Sequence, residues 1–169
     1  MALFGRQRDI NLFTTITREL MGDVITQQIA YYKFKLEETV SNIYGEAAGG
    51  KFYNEPVLLN CLIERSDQEF PESDLGIDFN WAITYKFLRE DLIDANVVPE
   101  VGDIIMYYDK YYEVDETNAN QYILGKNPEY NYASNPLNPG LEQFGASYSI
   151  ICKTHIIPAD KVEITKERF

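Results

Sequence analysis

Histidine is nearly absent from this chain, with His155 as its single representative. Imidazole carries much of the acid–base and metal chemistry that proteins perform near neutral pH, so one ring leaves little from which to build a relay. Cysteine is scarce as well. Cys61 and Cys152 each lie in an apolar, strand-like run with no C-x-x-C or Cys–His spacing beside them. They read as buried free thiols, with disulfide or metal ligation the less common alternatives. Cys152 and His155 are three residues apart on one run, so in a strand they point to opposite faces and make no nucleophile–base pair. Cys61 with His155 depends on the fold.

Cations are in deficit: 15 Lys plus Arg stand against 27 Asp plus Glu, a formal net charge of -12. Such a chain lacks the clustered cations that neutralise phosphates, so nucleic-acid binding through phosphate neutralisation is not expected. No run of five or six like charges forms an acidic tail. Apolar runs fall short of the roughly 18 residues of a membrane span, and residues 1–9 lack the hydrophobic core of a secretion signal. A soluble chain outside the usual secretory route is expected, with no membrane partner. The glycine-rich segment 42–51 lacks the spacing and the strand-to-helix setting of a phosphate loop. The acids of residues 65–78 (Asp67, Glu69, Glu72, Asp74 and Asp78) lack the alternation of a calcium loop and read as a solvated acidic segment. With 27 acids, carboxylate pairs are always available, but no spacing singles one out. No catalytic residue, cofactor or metal is therefore expected.

Aromatic residues, by contrast, are plentiful: 13 Tyr, 9 Phe and 1 Trp make up 14% of the chain. Tyrosine suits half-buried surfaces, because its ring packs while its hydroxyl finds a polar partner, and it is enriched where proteins meet. The stretch 99–114 organises the rest. Gly102-Asp103 reads as a turn, followed by two runs of β-branched and aromatic residues, 104–108 and 111–114, joined by Asp109-Lys110. A two-residue connection favours a tight primed turn, with Lys110 at positive φ. Alternation puts Ile104, Met106 and Tyr108 on one face and Ile105 and Tyr107 on the other. Both faces are apolar, so the hairpin belongs inside a barrel or at an assembly interface.

The 169 residues suffice for one domain that buries roughly 70% of its unfolded surface. Residues 9–21 read as a helix, with Asp9 as N-cap, Ile10, Phe13, Ile16, Thr17 and Leu20 at helical spacing, and Gly22-Asp23 as the stop. Residues 1–8 read as a flexible arm. Strands are predicted at 29–34, 56–64, 79–88, 147–157 and 161–164, and a short helix or turn at 89–96. In 79–88 the residues Phe79, Trp81, Ile83, Tyr85 and Phe87 share one face; in 147–157 Tyr148, Ile150 and Cys152 do. Residues 116–145 read as a long loop holding one short strand, 121–124; an irregular excursion of this length usually has a function or is disordered. The predicted fold class is mainly β with an N-terminal helix: a small β-barrel core with long loops, forming a single domain over 9–169.

Several ordered segments carry a family resemblance: Asn42-Ile43-Tyr44-Gly45-Glu46; Pro56-Val57 with Cys61-Leu62-Ile63-Glu64-Arg65; Phe87-Leu88-Arg89; Pro99-Glu100-Val101-Gly102-Asp103-Ile104-Ile105; Tyr111-Tyr112-Glu113-Val114; and Gly125-Lys126-Asn127-Pro128. Together, over roughly residues 9–155, they resemble the neck proteins of contractile-tailed bacteriophages, the head-completion or head-closure subunits. The resemblance implies a β-barrel-centred subunit of a homo-oligomeric, hexameric ring around the DNA exit channel. It implies a portal-adaptor (connector) protein above, a tail-terminator protein below, and double-stranded DNA passing without sequence-specific binding. The location implied is the virion neck, after assembly in the host cytoplasm. Such a ring has no catalytic residue or cofactor to carry over. An acidic channel lining would repel phosphate and let DNA slide. Tyr107, Tyr111, Tyr122, Tyr130, Tyr132 and Phe144 are the expected subunit or partner contacts. A tail or baseplate component using the same small barrel and, from a different class, a small hydrolase are the competing readings.

Overall fold

Alternating apolar residues build one continuous inner surface. The computed structural model describes residues 7–35, 51–65, 72–73, 76–77, 82–122, 147–159 and 162. Its strands are β1 (Gln28–Tyr32), β2 (Val57–Asn60), β3 (Leu62–Arg65), β4 (Glu72–Ser73), β5 (Gly76–Ile77), β6 (Ala82–Leu88), β7 (Ile104–Tyr107), β8 (Lys110–Tyr122) and β9 (Ser147–Ile157). The helices are α1 (Gln7–Glu19), which runs into a π-helical turn (Leu20–Ile25), and α2 (Arg89–Asp94). Seven strands form one antiparallel sheet in the order β2-β1-β7-β8-β9-β6-β3, while β4 and β5 pair separately within the segment read from sequence as an acidic loop.

The two edge strands of the large sheet are neighbours in the chain. The predicted single strand 56–64 is in fact β2 and β3, separated by Cys61. The Cys61 N–H still donates to the Gln27 carbonyl at 3.0 Å beside β1, whereas Leu62 already pairs with Lys86 of β6. One residue thus steps from one edge to the other, which requires the sheet to curl into an antiparallel half-barrel. An unbroken apolar run conceals this step, because a strand buried on both faces and a kinked pair of strands share that composition.

The concave side holds the main core, from Ile29 and Tyr31 through Ile83, Tyr85 and Phe87 to Ile105, Val114, Ile150 and Cys152. Tyr85 stacks on Phe87 and meets Tyr107 and Tyr112 edge to face, geometries that aromatic quadrupoles favour. A second cluster covers the other side of the hairpin with Ala30, Tyr32, Ile104, Tyr111 and Val162. The hairpin is therefore apolar on both faces because both are covered. Strand β6 presents Ile83, Tyr85 and Phe87 inward as its alternation requires, and β9 has the predicted bounds. Along β9, however, Tyr148 is exposed; irregular pairing near Gln121 at that end shifts the alternation, so Ile150, Cys152 and Thr154 point inward.

Four further expectations are corrected. The hairpin turn is Tyr108-Asp109, with φ of 48° and 59°, and Lys110 opens β8 opposite Tyr107. A type I′ turn needs two successive positive φ values, which match strand twist, and this register lets the inward residues of β7 and β8 reach the core. Residues 116–120, read as loop, continue β8 into 121–122 of the predicted short strand through irregular pairing that absorbs unpaired residues; the remainder of the predicted loop lies outside the described residues, as do 1–6, 36–50, 79–81 and most of 161–164. Asp9 is not an N-cap, since the helix is already under way at Gln7. Gly22 does not stop it either. A glycine inside a helix costs only about 1 kcal/mol, and termination falls to Thr26 in the left-handed region (φ 50°), whose N–H donates to the Met21 carbonyl at 3.0 Å.

One buried carboxylate locks β1 to the hairpin. Gly102 (φ 93°) closes the turn in which Asp103 N–H donates to the Glu100 carbonyl at 3.3 Å, and this turn drops the Asp103 side chain into the interior. Its Oδ2 accepts from the Tyr31 hydroxyl (2.6 Å), the Lys33 ammonium (3.0 Å) and the Glu100 N–H (2.8 Å). Its Oδ1 accepts from the Phe34 N–H (2.9 Å). Burial and the adjoining carboxylate hold the Tyr31 hydroxyl well above its usual pKa, which keeps it a donor. Removing the carboxylate would orphan three donors at once, the Tyr31 hydroxyl and the Phe34 and Glu100 N–H groups, and would take one of three partners from Lys33. Asp103→Ala is expected to destabilise the fold by on the order of 3 kcal/mol or more, read as a lower midpoint in urea denaturation; Asp103→Asn, which adds a donor among donors, is expected to recover only part of the loss.

Candidate interaction surface

The apolar stripe of α1 faces away from the protein body. Phe13, Ile16, Leu20 and Val24 recur at spacings of three and four and so share one helix face. In an ordinary surface helix that face is buried. Here Phe13 is 56% exposed, Leu20 47% and Val24 72%, with Leu12 and Ile16 similarly open. Among the described side chains of residues 11–25, the buried ones are Thr14 and Met21.

Polar anchoring explains the inversion. The Arg18 guanidinium bonds Asp91 at 2.8 Å and also pairs with Asp94, both on α2. That bond to Asp94 raises the Arg18 pKa, while burial lifts the Asp91 and Glu90 carboxyls above their usual range despite the nearby cation. The π-helical turn brings Gly22 against Asn60 at the end of β2, where a Cβ would lie 3.8 Å from the amide nitrogen. Arg18 thus ties the helix to α2, and the apolar stripe is left presented outward.

A second exposed apolar feature sits at the hairpin tip. Tyr108 occupies the left-handed region, where turns prefer Asn or Gly and a bulky aromatic is strained. It is 75% exposed, its ring resting on that of Tyr107 at 4.4 Å between centroids. Together with Gln28, Ala30, Leu58 and Met106 it borders an open groove of about 370 Å³. Leu58, on edge strand β2, is also exposed.

Of the contact residues expected from sequence, Tyr107 and Tyr111 lie in the two cores, and the Tyr107 hydroxyl accepts from Arg65 at 3.1 Å. Both are buried in the single chain, and Tyr108, whose position the sequence placed in a strand, is the hairpin aromatic left open. Tyr122 closes β8, with its side chain outside the described residues; Tyr130, Tyr132 and Phe144 lie wholly outside them.

Comparison with known protein families and with curated proteins finds no match. Among the described residues, no three metal-ligating side chains converge, and no helix is long and apolar enough to cross a membrane. Burial pushes the Cys61 and Cys152 thiols up to about 12, leaving little thiolate near neutrality. His155 pairs with Asp115 at 2.7 Å on the outward face of β9, opposite Cys152 and away from the core that contains Cys61.

Because the stripe is solvated in the single chain, Ile16→Glu and Leu20→Glu are expected to change folding stability by less than about 0.5 kcal/mol. Met21→Glu, one position along but buried, is expected to cost several times more, on the order of 3 kcal/mol. Urea denaturation at low protein concentration checks both.

Proposed function

We propose that this chain is a structural subunit of the neck of a contractile-tailed bacteriophage, one of a ring of copies that joins the DNA-filled head to the tail. The observation that carries the reading is the outward apolar face of α1. A side chain half solvated in a free chain, at four successive helical positions, suits a protein completed by another protein. The resemblance of the ordered segments in 42–128 to neck proteins supplies the kind of assembly. In this reading the curled sheet is the small barrel of the subunit, stiffened by the Asp103 lock. The hairpin tip and β8 project from it toward neighbouring proteins, a portal adaptor above and a tail terminator below. A net charge of -12 suits a channel that double-stranded DNA crosses without adhering.

Extract complementation tests the proposal. Particles assembled without this chain are expected to accumulate as DNA-filled heads and separate tails, which the purified full chain rejoins. Joined, infectious particles formed without it would overturn the neck assignment, and labelling of the chain at the distal end of the tail would move it to a tail or baseplate role.

A further inference from the structure

The α1 stripe and the hairpin-tip groove are two apolar surfaces on one chain, and each fits the other's need. We propose that Phe13, Ile16 and Leu20 of one copy seat in the groove bordered by Leu58, Met106 and Tyr108 of the next, joining copies head to tail. The inference rests on the ring-subunit reading and names its mating surfaces.

Area supports a second copy as the occupant. Five side chains of α1 and its π-helical turn, each near half exposed or more, offer on the order of 500 Å² of apolar surface, a large share of the roughly 800 Å² per partner of a stable interface. The receiving groove, about 370 Å³ and open on one side, has room for large apolar side chains and is walled by exposed Leu58 and Tyr108.

Charge supports it too. Residues 1–25 contain Arg6, Arg8 and Arg18 against Asp9, Glu19 and Asp23, three of each sign, so the whole formal charge of -12 lies on the rest of the chain. Copies this acidic repel one another, and a neutral helix is the segment that approaches an acidic neighbour at least cost. Coverage of the exposed apolar surface favours head-to-tail contact over helix-to-helix contact. Pairing two identical stripes would leave the strained Tyr108 tip without a role, whereas a heterologous contact uses both surfaces and repeats around a ring.

Two full-length variants, Ile16→Cys and Tyr108→Cys, test the pairing with a short bismaleimide cross-linker. Native Cys61 and Cys152 are buried thiols and stay silent. A covalent dimer is expected in the mixture and in neither variant alone, and Leu20→Glu introduced into the Ile16→Cys chain is expected to abolish it. Dimers of Ile16→Cys alone would replace the proposal with a helix-to-helix contact. Absence of cross-linking in the mixture would overturn it, and protection of Ile16→Cys from a monomaleimide in that same sample would assign the stripe to a segment of its own chain. A positive cross-link with failed complementation would reject the neck assignment and keep the self-association; the reverse pattern would reject only these mating surfaces.

Discussion

The Asp103 carboxylate is the constraint on which the arrangement depends. A buried charge is tolerated when its lone pairs are filled, and four donors fill these: a hydroxyl, an ammonium and two backbone N–H groups. Three of the four come from residues 31–34, the end of β1 and its extension. The fourth comes from the turn that launches β7. The lock therefore sets where β1 lies relative to the β7-β8 hairpin at the centre of the sheet, and the pairing of β8 and β9 builds outward from there. Lys33 spreads the charge further by bonding Glu100 at 2.7 Å and the Val98 carbonyl at 2.8 Å. A fully satisfied network of this kind rigidifies a framework, whereas removal of its central acceptor leaves several desolvated donors together.

That framework was largely legible in the residues. The two-faced hairpin followed from apolar residues at every position of 104–107, and the inward set of β6 followed from strict alternation. The bounds of β9 followed from a run of alternating residues ending before Pro158. What escaped was decided by tertiary geometry. A one-residue difference in the turn places Tyr108 at the tip, and sheet twist settles that difference although residue preference argues against it. The step at Cys61 leaves no mark, because both halves of the run are apolar. Continuation of β8 past Val114 is paid for by β9 as partner, not by the polar residues themselves.

The helix is the instructive case for the candidate surface. Amphipathic spacing identified the apolar face of α1 correctly, but spacing says nothing of which body covers that face. Arg18, held by Asp91 and Asp94, decided the matter by tying the polar side down. An unusual orientation of this sort is where consistency between local pattern and burial breaks, and such breaks gather at functional surfaces. Of the aromatic contacts expected from sequence, Tyr107 and Tyr111 are buried in the single chain for a related reason: tyrosine enrichment does not separate a ring that braces a core from one that meets a partner, and Tyr107 braces while Tyr108 is exposed.

A framework locked at Asp103, an outward apolar helix and an open groove combine into the proposed ring subunit. The most direct measurement is a cryo-electron microscopy map of the assembled virion neck at side-chain resolution. The expected result is a ring of this chain between head and tail, with Phe13, Ile16 and Leu20 of each copy covered by the hairpin-tip groove of its neighbour. A neck built without this chain, or a ring in which the α1 stripe stays open to solvent, would contradict it.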